Sequence, residues 1–230
     1  MKNILLIGGS TGIGYELSQK LKEDNNLFIA TRNEGKFNDT NIKTNDLNLD
    51  HEFETDWLPD HIDGFVYLPG TINLRPFKGL KPSVFLEDFK INVMGCVEIL
   101  QKVLPKIQAA KNPSIVMFST VAVKLGMPFH SSVSSSKGAI EGLTRALAAE
   151  FEPKIRVNTI APSILETPMS EKFLNSETKL DNAKNRHTLK EIGSAKDISE
   201  VVKFLLEDNS KRSEERRVGK ECRSRWSPYH

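Results

Sequence analysis

Four apolar residues, Ile4-Leu5-Leu6-Ile7, run directly into Gly8-Gly9-Ser10-Thr11-Gly12-Ile13-Gly14 at the start of the chain. An apolar run of strand length followed by spaced glycines restricts the backbone more than any other stretch. Gly8 permits a tight turn, Gly12 lets the main chain approach a ligand, and Gly14 lets a following helix lie close to the strand. The start of that helix offers unpaired N–H groups and a positive dipole end, which suits a pyrophosphate. Ser10 and Thr11 add hydroxyl donors, and Ile13 sits in the same loop. The strand before and the helix after turn a weak glycine pattern into a dinucleotide-binding expectation.

Apolar runs of strand length alternate with helix-like segments along the rest of the chain, as in a parallel sheet covered by helices on both faces. The strands are expected at Asn3–Ile7, Leu27–Thr31, Ile62–Leu68, Ser114–Ser119 and Ile155–Ile160, with a weaker one near Asn41–Asn45. Helices are expected at Gly12–Glu23, Pro82–Ala110, Ser131–Phe151 and Lys196–Glu207. The stretch Leu165–Arg186 is polar, contains Pro168, and reads as a mobile substrate loop with a short helix. The fold expectation is one doubly wound α/β domain of the Rossmann type.

Cofactor preference is read at the end of the second strand, where a carboxylate would bind a ribose 2′-hydroxyl and repel a 2′-phosphate. Ala30-Thr31-Arg32-Asn33 stands there instead. The planar fork of Arg32 can stack on adenine and pair with a 2′-phosphate, so NADP(H) is expected over NAD(H).

The glycine turn, the run Ser119-Thr120 to Ser134-Ser135-Ser136-Lys137, Ile91-Asn92-Val93-Met94-Gly95 and Arg156-Val157-Asn158-Thr159-Ile160-Ala161-Pro162 together resemble the short-chain dehydrogenase/reductase family over roughly residues 1–210. The resemblance implies hydride transfer between nicotinamide and a carbonyl or alcohol substrate. It puts Asp46 and Leu47 on the adenine and Thr167 on the nicotinamide carboxamide, and it counts Asn33 and Pro162 among the cofactor-binding residues. Lys137 would bond the nicotinamide ribose, Thr120 would stand for the serine that holds the substrate oxygen, and Asn92 would hold a relay water. Where the family carries Asn-Asn-Ala-Gly, the chain reads Tyr67-Leu68-Pro69-Gly70, so only Gly70 matches.

One position departs sharply. The family places its catalytic tyrosine four residues before the lysine, and Val133 occupies that slot. A valine donates no proton. Tyr15 is expected to face away from the nicotinamide and Tyr67 to brace the core. His130, Ser132 and Ser134 lie nearer, and His130 has the intrinsic pKa for proton exchange near neutrality. The expectation is an NADP(H)-dependent oxidoreductase with an altered proton donor. Two alternatives stand beside it: a nucleotide-binding sensor or partner subunit without turnover, and a redox-neutral enzyme on the same scaffold.

The segment from Arg212 to His230 has neither helical nor strand periodicity and looks like translated sequencing-adapter text. It is expected to be a non-native, disordered tail, leaving residues 1–211 as the domain with the family's last strand missing. Of the 32 basic and 30 acidic residues in the 230-residue chain, 26 and 27 lie outside that segment, so no basic field argues for nucleic acid. Two cysteines, Cys96 and Cys222, make neither a disulfide framework nor metal-ligand spacing. The apolar start is too short to span a membrane. These features read as a cytoplasmic protein without metal. The helices Pro82–Ala110 and Ser131–Phe151 resemble the family's dimer-forming pair, which implies a homodimer or homotetramer.

Overall fold

In a computed structural model the described residues are 1–32, 37, 39–211 and 213. Asn33 and all of the adapter-like segment except Ser213 lie outside them. Six parallel strands form the central sheet: β1 (Lys2–Ile7), β2 (Asn25–Thr31), β3 (Ile42–Asp46), β4 (Gly64–Tyr67), β5 (Ser114–Phe118) and β6 (Arg156–Ile160). Their order is β3-β2-β1-β4-β5-β6. The order reverses between β1 and β4, and a crevice opens at such a switch point beyond the carboxyl ends of the strands.

Alternation along the strands explains the two helix layers. Leu5, Ile7, Phe65, Tyr67, Ile115, Met117 and Val157 share one core with Ile99, Val103 and Ile107 of α3 (Gly95–Gln108) and Ile140 of α5 (Ser131–Glu150). Ile4, Leu6, Leu27, Ile29, Val66 and Val116 pack on the other face with Leu17 and Leu21 of α1 (Gly12–Leu21). Val202, Leu205 and Leu206 of α8 (Ala195–Leu206) complete that layer. Strands buried on both faces must be apolar at consecutive positions, which is why β1 reads as an unbroken run. Truncating Leu5 or Leu6, both fully buried, to alanine should cost about 2–5 kcal/mol.

Two expected elements need correction beyond a residue or two at their ends. The fourth strand is Gly64–Tyr67, shorter than Ile62–Leu68. The Ile62 N–H turns instead to the Lys106 carbonyl at 3.0 Å, and Pro69, which has no N–H, stops the ladder after Leu68. The expected single helix Pro82–Ala110 is α2 (Pro82–Phe89), a π-helical turn (Lys90–Met94) and α3. Asn92 Nδ2 donates to the Asp88 carbonyl at 2.7 Å, the acceptor that a regular α-helix would give to the Asn92 backbone N–H. Tyr67 Oη donates to the Ile91 carbonyl at 2.6 Å and fixes the same turn.

The stretch Leu165–Arg186 is more regular than a loop. It contains β7 (Leu165–Glu166), α6 (Glu171–Leu174) and α7 (Glu177–Asn185), and β7 pairs with β8 (Gly193–Ser194). Ser176 caps α7 by accepting from Lys179 N. Among the described residues the main sheet ends at β6, and no helix is long and apolar enough to cross a membrane.

Candidate active site

The glycine turn folds as its spacing requires. Gly8 and Gly12 take φ values of 85° and 53°, in the left-handed region that favours glycine. A Cβ on Gly14 would lie 2.4 Å from the Gly8 carbonyl oxygen, so α1 starts directly against the turn. Thr11 occupies the N-cap in extended backbone and makes no side-chain capping bond. The Thr11 side chain therefore does not satisfy the first N–H groups of the helix.

Gly8, Ser10, Thr11, Gly12, Ile13 and Gly14 line one side of a cleft of about 1340 Å³. Arg32, Asp46, Leu47, Gly70, Pro162 and Thr167 line it too, so every expected cofactor residue within the described set faces one cavity. The Leu47 N–H donates to the Thr31 carbonyl at 3.2 Å and holds the end of β3 beside Arg32. Across the cleft, a Cβ on Gly12 would stand 3.6 Å from Thr167 Cβ.

Gly70 marks the middle of the floor. A Cβ there would be 3.2 Å from Asn92 Oδ1 and 3.4 Å from Lys137 Nζ. Asn92 is fully buried and lies behind the cleft wall. Its Nδ2 serves Thr71 Oγ1 at 2.8 Å and the Asp88 carbonyl at 2.7 Å. Its Oδ1 has no hydrogen-bond partner among the described residues, a demand that a bound ligand or water meets. Lys137 comes from α5 and is buried, and that desolvation pulls its ammonium down to about 8. The nearby Cys96 thiol is pushed up to about 12 by the same cause and is no nucleophile.

Thr120 follows β5 and lines the cleft, with its Oγ1 accepting at 3.4 Å from the N–H of Ala122, the first residue of the short α4 (Ala122–Leu125). Beneath it, Ser119 Oγ donates to the buried Glu141 carboxylate at 2.8 Å, tying the end of β5 to α5. Val133 also faces the cleft and is buried. No tyrosine lines the cleft among the described residues. Tyr67 is buried, its phenol pKa raised by desolvation, and Tyr15 stacks near Phe37 at 6.2 Å.

His130 stands at the cleft mouth and occupies the N-cap position of α5 without capping it. Its Nδ1 lies 2.7 Å from the Pro128 carbonyl, which can only accept, so Nδ1 carries a proton and Nε2 is the exchangeable nitrogen. The two serine candidates are elsewhere. Ser132 is buried and donates to Asp88 Oδ2 at 2.5 Å, and neither it nor Ser134 lines the cleft.

Two residues at or just behind this floor are not legible in the sequence. Asp88 is fully buried. Its Oδ1 accepts from Thr71 Oγ1 at 2.5 Å and Asn73 Nδ2 at 2.7 Å, and its Oδ2 from Ser132. Thr71, directly after Gly70, lines the cleft. An aspartate on an amphipathic helix reads as solvent-facing, and only the packing of α2 on α5 buries it.

These features fit a nicotinamide dinucleotide. The uncapped helix start and the side-chain-free Gly12 suit the pyrophosphate, and a buried ammonium with an unpartnered amide oxygen flanks Gly70. Among the described residues no group of three or more His, Cys, Asp or Glu side chains could hold a metal ion.

The family pattern described as enoyl-(acyl carrier protein) reductase matches residues 47–213. A human relative, dehydrogenase/reductase SDR family member 2, mitochondrial, is 26% identical over 220 residues, covering 87% of this chain and 78% of its own. Pig carbonyl reductase [NADPH] 2 is 30% identical over 139 residues, 60% of this chain and 57% of its own. A crystal structure of a short-chain dehydrogenase family protein from Francisella tularensis superposes with a TM-score of 0.83 at 22% identity. It covers 94% of this chain and 95% of that one.

Proposed function

Because the chain belongs to the short-chain dehydrogenase/reductase family, we propose that it is an NADP(H)-dependent oxidoreductase acting on a carbonyl/alcohol pair. One observation carries this reading: Thr120 and Lys137 line the same cleft as the glycine turn and Arg32. A substrate oxygen and a nicotinamide ribose can therefore be held in one cavity.

The bound nicotinamide cofactor supplies or accepts the hydride. Thr120 donates its hydroxyl proton to the substrate oxygen and stabilises charge that develops there. Lys137 holds the ribose, and its positive charge favours an oxyanion close by. The remaining proton path to solvent runs through water held by Asn92 Oδ1 or through His130 Nε2. Arg32 takes the 2′-phosphate, a reading supported by the NADPH in the pig relative's name and by the missing carboxylate at the end of β2.

Leu86, Phe89 and Met94 are exposed along α2 and the π turn. They suit a homodimer or homotetramer built through α2, α3 and α5, and the exclusion volume of the full chain measures it. Val133 favours a second reading, a nucleotide-binding protein without redox turnover. NADPH oxidation with a panel of aldehydes and ketones separates the two, with Lys137→Ala as the blank. Oxidation that vanishes in the blank supports the oxidoreductase. Bound NADPH with no oxidation by wild type supports the binding protein.

A further inference from the structure

Val133 leaves the substrate oxygen without the phenol that the family would offer, yet a buried carboxylate lies directly behind the same wall. Ser132, the residue before Val133, donates to Asp88 Oδ2 at 2.5 Å, so Asp88 is anchored to the turn of α5 that carries the empty phenol slot. Its other oxygen accepts from Thr71 and Asn73. Three donors and, among the described residues, no acceptor bond its two oxygens, so the carboxyl serves this network as an acceptor.

The direction of each bond gives this network a function. The single proton of Thr71 Oγ1 points to Asp88 at 2.5 Å, and one lone pair accepts from Asn92 Nδ2 at 2.8 Å. A hydroxyl has two lone pairs, so one remains on a residue that lines the cleft. An alcohol hydroxyl can donate to it. Thr71 also follows Gly70, the position flanked by Lys137 and Asn92.

We propose that Thr71 and Asp88 form the proton relay of this enzyme, with Thr71 touching the substrate oxygen and Asp88 acting through it as the base. This rests on the oxidoreductase reading and names the first proton acceptor within it. In alcohol oxidation the C–H bond breaks and its electron pair leaves with the hydride to the nicotinamide. The substrate O–H proton moves to Thr71 Oγ1 while the proton of Thr71 moves to Asp88 Oδ1. A ketone or aldehyde forms, and Asp88 is left as the neutral acid. Carbonyl reduction runs the same steps backwards, and Asp88 then regains its proton from solvent. Thr120 holds the oxygen in both directions.

A purely structural Asp88 would treat its partners alike, whereas a relay would not. Thr71→Val and Asn73→Ala each remove one donor from the same Asp88 oxygen, but of the two only Thr71 lines the cleft. The test measures kcat for NADPH oxidation with the aldehyde and ketone panel. It also measures NADPH affinity by fluorescence and the melting temperature, all on the full chain. Thr71→Val and the near-isosteric Asp88→Asn should each lower kcat by about 100-fold, the usual share of a proton-transfer group. Thr71→Ser should restore kcat to within about fivefold, and Asn73→Ala should cost no more than about threefold. NADPH affinity should stay within about threefold throughout, since none of these side chains is assigned to the cofactor. Equal losses in Thr71→Val and Asn73→Ala, or wild-type kcat in Asp88→Asn, overturn the relay and leave the oxidoreductase standing. If Asp88→Asn does not fold, the Thr71 and Asn73 pair decides. A wild type that binds NADPH but turns over nothing removes both readings.

Discussion

A Cβ built on Gly70 would lie 3.4 Å from the Nζ of Lys137. The same point is 3.2 Å from Asn92 Oδ1, so the smallest side chain would press on that amide while touching the ammonium. Gly70→Ala should therefore displace the Asn92 amide by a few tenths of an ångström and narrow the space beside the ammonium. The φ of Gly70 is not in the left-handed region, so the backbone accepts alanine. The expected result is a loss of about tenfold in NADPH affinity, equivalent to about 1.4 kcal/mol, with a melting temperature close to wild type. Fluorescence titration beside a thermal melt checks it.

Burial holds the Lys137 ammonium at about 8, below the roughly 10.4 of an exposed lysine. The folded protein sheds this proton first, so between those two values the unfolded state binds more protons. Stability from this group alone rises with pH across that window, by roughly 1.4 kcal/mol per pH unit. Below pH 8 the buried charge opposes folding in full. Lys137→Met should raise the melting temperature at pH 7 and flatten its pH dependence between 8 and 10.

In the proposed reaction activity responds in the opposite sense, because the charged amine is what holds the ribose and favours the oxyanion there. The kcat/KM for carbonyl reduction should fall as pH rises through about 8. Lys137→Arg keeps its charge at every working pH. It should lower the plateau and remove that limb of the profile.

Arg32 is exposed at the end of β2 and lines the cleft beside Asp46. A charge-assisted contact to a 2′-phosphate contributes about 1.5–3 kcal/mol. Arg32→Ala should weaken NADPH binding by about 10- to 100-fold and leave NADH binding within about threefold. Equal losses for both cofactors would remove the assigned 2′-phosphate contact.

In the proposed reaction Thr120, which lines the cleft, donates its hydroxyl to the substrate oxygen. Removing one donor of this kind costs about 100- to 1000-fold in kcat. Thr120→Val should reach that range, and Thr120→Ser should stay within about fivefold of wild type. Steady-state kinetics on the best substrate of the panel measures both.

The sequence makes the cofactor half readable because backbone demands are local. The φ values of Gly8 and Gly12 and the lack of room at Gly14 follow from a turn spanning seven residues. Strand positions were legible for a similar reason, since β1 must be apolar on both faces. The Asp88 network was not, because it is assembled from residues distant in the chain. Asp88 and Ser132 are 44 residues apart, and nothing near Asp88 in the chain marks it as buried. The π turn escaped likewise: its cause is a side-chain bond from Asn92 to the Asp88 carbonyl together with a tether from Tyr67 on β4. Val133 shows the converse. Its identity was plain in the sequence, whereas the carboxylate behind it required the fold.

Hydride transfer itself is the most direct test. NADPH carrying deuterium at C4 on the transferred face would be incubated with the full chain and the aldehyde and ketone panel, and the alcohols analysed by mass spectrometry. The account predicts an alcohol with deuterium on the former carbonyl carbon, formed by wild type and absent with Lys137→Ala. NADPH that binds in the cleft while every carbonyl comes back unlabelled would contradict it.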